Sequence, residues 1–144
     1  MTRAHRTSPR SRLLTDADFR RLLRFRDGLR VFQHWSEEQA RSAGLTGAQH
    51  QLLLAVRGHG SAPSVRDLAD HLLLRHHSVV ELVDRAERAG LVIRVADVED
   101  HRIVRVHLTA EAEDRLVALS RAHLEELSRL RGTFEALWED LPPT

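Results

Sequence analysis

The side chains best placed for chemistry with a partner fall in two short stretches, residues 75–88 and 97–102. Arg75, His76, His77 and Ser78 stand in a row where a helix begins. The dipole and free N–H groups of a helix N-terminus favour phosphate. Arg75 suits a phosphate or a guanine edge, and His76 and His77 can donate to purine N7 and O6 acceptors. Further along the same face, Val80 offers contact to a thymine methyl and Glu81 an acceptor for a cytosine amino group, and Arg85 adds a cation. Arg102 ends the charged run Ala96–Arg102, and an arginine on such a tip suits the enhanced negative potential of a narrow minor groove. Asp97 and Asp100 are the candidates for holding that tip in shape, Asp100 by accepting from Arg102. Simpler roles exist. Residues 76–88 can be a plain solvated helix face, Glu81 can pair with Arg85 at i, i+4 for ~0.2–0.5 kcal/mol, and residues 97–102 can be an ordinary polar turn. Arg75 is a poor N-cap, so a box of Ser78 with Glu81 can start the helix later.

Composition narrows the classes. The 144 residues suffice for one core or for one protomer of an oligomer. With 42% apolar and 30% charged residues the chain reads as globular. Cysteine is absent, which removes disulfides, thiolate metal sites and cysteine chemistry. Tyrosine is absent and aromatics are only 4%, too few for a base-stacking platform on single strands. All 22 basic residues are arginine. Residues 1–30 carry nine of them against three acids, and residues 109–144 carry four against eight, a basic front and an acidic end. No apolar run approaches the ~20 residues of a membrane span, and no secretory signal is read at the N-terminus, so no membrane and a cytoplasmic location are expected. No phosphate-cradling glycine loop and no G-x-S-x-G elbow is present, so an enzyme is not expected.

The elements that must carry these residues can be read from period and caps. Residues 1–14 read as a flexible basic tail in which Arg3, Arg6, Arg10 and Arg12 can touch phosphates. A long helix follows over residues 15–43, capped by Thr15, with Leu22, Phe25, Leu29 and Phe32 as its apolar stripe. Thr46 with Gln49, and Ser64 with Asp67, announce two more helices by their capping boxes. A fourth helix buries Val79, Leu82, Val83 and Ala86 and ends at Gly90. The period then changes to two over Leu91–Val95 and Ile103–Leu108, a hairpin. Thr109 caps a last helix, expected to break at Gly132–Thr133.

A pair of short helices followed by a hairpin, flanked by long helices, is the order of a winged helix-turn-helix. The sequence here resembles the MarR (multiple antibiotic resistance regulator) family of bacterial transcription factors. The resemblance rests on L-T-x-x-Q at Leu45–Gln49, on L-V-D-R-A-E-R-A-G-L-V at Leu82–Val92, and on Asp97–Arg102 followed by V-R-V-H-L-T at Val104–Thr109. It implies a mainly α fold with a small β-hairpin wing, intertwined as a homodimer through the N- and C-terminal helices (15–43 and 109–144), with a DNA-binding lobe at 45–108 inside one MarR-like domain, 15–144. It implies double-stranded DNA as partner, a repressor's role, and a small aromatic or phenolic acid as effector, for which His34, Trp35 and Arg57 are the candidate contacts; Trp35 can equally pack the dimer core. Two positions depart from the family pattern: Glu99 stands where an arginine is frequent, and His101 at another often basic position. No cofactor is expected, and no metal site is assigned among the ten histidines. The alternative function is a winged-helix protein-interaction module, which the acidic Glu81 and Glu99 suit.

Overall fold

The computed structural model describes residues 13–139 and Leu141. Arg3, Arg6, Arg10 and Arg12 of the expected basic tail lie outside the described residues. Along the chain come α1 (Asp16–Ser42), α2 (Gly47–Gly58), α3 (Val65–Leu72), α4 (His76–Arg88), β1 (Val92–Ala96), β2 (Val104–Leu108) and α5 (Ala110–Trp138). This is the mainly helical fold with a two-stranded wing that the sequence led us to expect.

Local chemistry fixes most boundaries. Thr15 with Asp18, Thr46 with Gln49 and Ser64 with Asp67 each form a complete capping box, so the first orphan N–H groups of α1, α2 and α3 are satisfied reciprocally. Thr109 accepts from the Ala112 N–H and donates its hydroxyl to the Gly90 carbonyl at 2.7 Å, tying the start of α5 to the end of α4. Gly44 (φ 76°) and Gly90 (φ 74°) take the left-handed turn that closes α1 and α4.

One alternative falls away and one expectation is corrected. The helix α4 does not wait for Ser78: it begins at His76, with Arg75 as an N-cap whose side chain makes no capping bond. The gain from sealing Val79, Leu82, Val83 and Ala86, all 0–4% exposed, outweighs a missing cap of ~1 kcal/mol. The helix α5 also runs unbroken through Gly132 and Thr133. An interior glycine costs only ~1 kcal/mol, and the following turns are anchored by Phe25, which meets Phe134 and Trp138 edge-on at centroid distances of 6.5 and 6.1 Å.

The strands start one residue later than their apolar runs. The Leu91 N–H is taken by the Ala86 carbonyl at 2.9 Å, so Leu91 finishes α4 before β1 begins. The Ile103 N–H likewise closes the wing turn on the Asp100 carbonyl at 2.9 Å. In the antiparallel register Val92 faces Leu108 and Arg94 faces Val106. Period two therefore sends Val92 and Val106 into the core and leaves Ile93 and Val95 about half exposed. The Val106 N–H donates to the Pro63 carbonyl at 2.9 Å, which stitches the hairpin to the segment that opens α3. The core lies between α2, α3, α4, the hairpin and the first turns of α5, around Leu52, Leu53, Leu68, Val83 and Leu116. α1 packs along α5 and leaves Phe19, Leu22, Leu23, Val31, Leu124 and Leu127 exposed. Among the described residues no helix is long and apolar enough to cross a membrane.

Candidate nucleic-acid interface

α3 and α4 are joined by a tight turn in which Leu73 is left-handed (φ 52°) and 90% exposed. The Leu74 N–H closes that turn on the Ala69 carbonyl at 3.2 Å. With the apolar stripe of α4 facing the core, Arg75, His76, His77, Glu81 and Arg85 are exposed, and Ser78 and Val80 are half-buried. Among the described residues none engages the side chains of Arg75, His76, His77, Glu81 or Arg85 by a hydrogen bond or ion pair, and the Glu81–Arg85 pair is not formed.

The wing tip is held by two carboxylates. Asp97 accepts from the N–H groups of Glu99 and Asp100, both at 2.9 Å, and from Arg105 Nε at 2.8 Å. The Asp100 N–H, then the Arg105 guanidinium and the Glu99 N–H, pull its pKa down to about 2. Asp100 receives Arg102 in a bidentate grip, Nε and Nη2 each at 3.0 Å, and its pKa is lowered first by that side chain and then by the Arg102 N–H. The guanidinium of Arg102 nevertheless stands 91% exposed at the tip. It is oriented by Asp100 without being covered.

Between the start of α3, the N-terminal half of α4 and the hairpin lies a groove of about 620 Å³. His76 and Val80 form one wall, Arg102 and Arg105 the other, and Arg66 and Arg94 complete it. The sequence reading missed Arg94. It donates to Asp84, to Glu87 at 3.1 Å and to the Val80 carbonyl at 3.4 Å, clamping β1 to α4. A charge at an inward strand position, opposite two carboxylates three residues apart on the preceding helix, was the signal that could have found it. Arg105 plays a similar part, spanning Asp97 and, at 3.8 Å, Asp67.

The three candidate effector contacts are spread. His34 lies exposed on α1, 3.6 Å from Glu38. Trp35 is half-buried, its ring 4.8 Å from that of His123 and 6.0 Å from Phe32. Arg57 is bound to Glu113 at 2.7 Å and lines a cavity of about 290 Å³ with Val106 and His107. A different cavity, about 280 Å³, lies between α1 and the start of α2, lined by Phe32, Ser36 and Glu37 among others. Two histidines lie away from the surface: His50 is 4% exposed and His123 is partly buried. His59 and His71 meet at 2.9 Å between α2 and α3. Among the described residues no group of three or more histidine and carboxylate side chains is arranged to hold a metal ion.

Comparison with known proteins agrees with this geometry. Residues 43–103 match the model of the MarR family. No curated protein sequence matches the chain. Among solved structures, a MarR family transcription regulator is similar at a TM-score of 0.72 and 21% identity, covering 81% of this chain and 78% of its own. AbsC, a MarR family transcriptional regulator from Streptomyces coelicolor, gives 0.70 and 22%, covering 92% and 86%. The MepR–DNA complex of Staphylococcus aureus gives 0.65 and 20%, covering 74% and 78%. At these identities the likeness is one of fold.

Proposed function

We infer from the MarR family winged-helix lobe of residues 43–103 that this chain is a transcription regulator which binds double-stranded DNA as a homodimer. The observation that carries the reading is the outer face of α4. The side chains of Arg75, His76, His77, Glu81 and Arg85 are unengaged among the described residues, and across an arginine-lined groove from them stands the exposed Arg102. α4 lies in the major groove with Arg75, His76, His77, Ser78, Val80, Glu81 and Arg85 toward the bases and phosphates, and Arg102 enters the minor groove. Two copies pair through residues 15–43 and 109–144 and present their 45–108 lobes about one DNA turn apart, ~34 Å, on a pseudo-palindrome. The apolar side chains left exposed on α1 and α5 support that pairing. The regulator is a cytoplasmic repressor. A small aromatic or phenolic acid, taken up where the long helices meet the lobe, relieves it by favouring a lobe spacing that no longer fits the grooves. The cavity beside Phe32 and Ser36 supports that location.

The test is selection of bound fragments from the source genome, followed by anisotropy titration across a salt series with and without small aromatic acids. Specific binding should weaken with salt, and Arg102→Ala should lower the log–log slope by up to ~1.8 for the dimer, about 0.9 for each of its two copies. Equal affinity and slope would remove Arg102 as the main wing contact. The acidic Glu81 and Glu99 on this face favour a second reading, a protein-docking module; a soluble dimer with no duplex affinity at low salt would select it.

A further inference from the structure

Where the lobe hangs on the long helices, three polar side chains from three helices meet. Ser36 comes from α1, His50 from α2 and His123 from α5. Ser36 is 7% exposed and His50 is 4% exposed. Both ring nitrogens of His123 are committed. Nδ1 lies 2.7 Å from the Leu119 carbonyl, which can only accept, so Nδ1 carries the hydrogen. Nε2 lies 2.7 Å from Ser36 Oγ and, in the neutral ring, accepts its proton. The ring of His50 stands 4.8 Å from that of His123, and Trp35 closes on His123 from another side at 4.8 Å.

Among the described residues no carboxylate is paired with either ring of this cluster. On α1, Glu37 is drawn to Arg41 at 3.7 Å and Glu38 to His34 at 3.6 Å. On α2, Arg57 is bound to Glu113 of α5 at 2.7 Å. On α5, Glu111 is paired with Arg115 and Glu126 with Arg129, while Asp114, Arg121 and Glu125 are exposed. The one charge that acts on His50 among the described residues is that of His123, and it is repulsive once both are protonated. Burial, and after it His123, holds the His50 pKa below its ordinary value.

We propose that His50 and His123 form a proton-sensing joint, in which the closed packing of α2 on α1 and α5 requires neutral rings and protonation opens it, weakening DNA binding. A joint that has opened hydrates the buried His50 ring and restores its ordinary proton affinity, so protons select the open state. The sign follows from linkage. A histidine whose pKa is lowered in the packed state contributes its full stability above the unperturbed ~6.5, and that contribution is lost as pH falls below it. Charge at the DNA face acts oppositely, since protonating the exposed His76 and His77 strengthens attraction to phosphate. Acid weakening therefore points to the joint and not to the recognition helix. The DNA readout rests on the function proposed above; the joint itself does not.

The experiment compares wild type with His50→Gln between pH 7.5 and 5.5 by thermal unfolding and by anisotropy on a selected duplex, with histidine side-chain nitrogen NMR on wild type. Wild type should lose Tm toward pH 5.5, and its Kd should rise relative to that of His50→Gln by roughly three- to tenfold. His50→Gln should flatten the Tm profile. The NMR titration should keep His50 neutral to below ~6.5 and show His123 as the Nδ1–H tautomer. An ordinary or raised His50 midpoint overturns the proposal, and so does a Tm slope unchanged in His50→Gln. If that variant does not fold, the wild-type titration decides. Should no duplex bind at any pH, the DNA reading falls, while Tm and NMR still decide the joint.

Discussion

Arg75 sits where a helix asks for Ser, Thr, Asn or Asp, and its side chain leaves the first N–H groups of α4 uncapped. That is a local fault in folding terms. Placed beside His76 and His77, the same free N–H groups and guanidinium are of the kind that suits an anion, which is the role proposed for them. Stability and binding should then move in opposite directions. Arg75→Ser is expected to raise stability by about 1 kcal/mol, a Tm rise of a few degrees by calorimetry, and to weaken duplex binding in anisotropy. A parallel gain in both would show that Arg75 is no contact. Arg102 shows a second conflict at this scale. Asp100 aims its guanidinium but also neutralises it, and Glu99 adds repulsion at the same tip. Holding the rotamer in advance lowers the entropy lost on binding, so the pair trades charge for orientation.

At the scale of elements, the helices that carry complete boxes begin where their caps say. Thr15, Thr46 and Ser64 are strong local signals because each satisfies two orphan N–H groups with side chains three residues apart. The start of α4 was left between two residues, and the continuity of α5 was misjudged, because local preference was weighed without knowing what each helix would bury. A cap or a glycine is worth ~1 kcal/mol, and one sealed apolar side chain is worth ~1.5–3 kcal/mol. Gly132 is therefore a weak point that α5 carries. A Cβ added there meets nothing within 4 Å. Gly132→Ala should stabilise the chain by up to about 1 kcal/mol, read as an increase in Tm; a decrease would mean that this face of α5 is pressed against a second copy. The clamp of Arg94 on Asp84, Glu87 and the Val80 carbonyl ties α4 to β1 of the wing.

At the scale of the molecule, the lobe has its own sealed core, but the long helices do not. Leu22 is 60% exposed, Leu127 48% and Val31 67%, along faces that the chain itself leaves bare. A bare apolar stripe of that length is what a pairing surface looks like before it is covered. Leu22→Glu with Leu127→Glu should convert a dimer into a monomer by light scattering and, because one lobe alone cannot bridge two half-sites, should reduce duplex affinity by at least tenfold. A dimer of unchanged mass would locate the pairing surface elsewhere.

The sequence by itself determined the order of elements, four of the helix starts, the inward stripe of α4 and the identity of the wing carboxylates. Each of these depends on residues within a few positions of one another, so spacing alone encodes them. Only the tertiary structure decided that Arg94 would lock the wing to α4, that α5 would hold through Gly132, and that His50, His123 and Ser36 would meet. His50 and His123 are far apart in sequence, and nothing near either one marks it out. What sets them apart is that three helices close over them and bury His50 beside His123, and no local pattern records that.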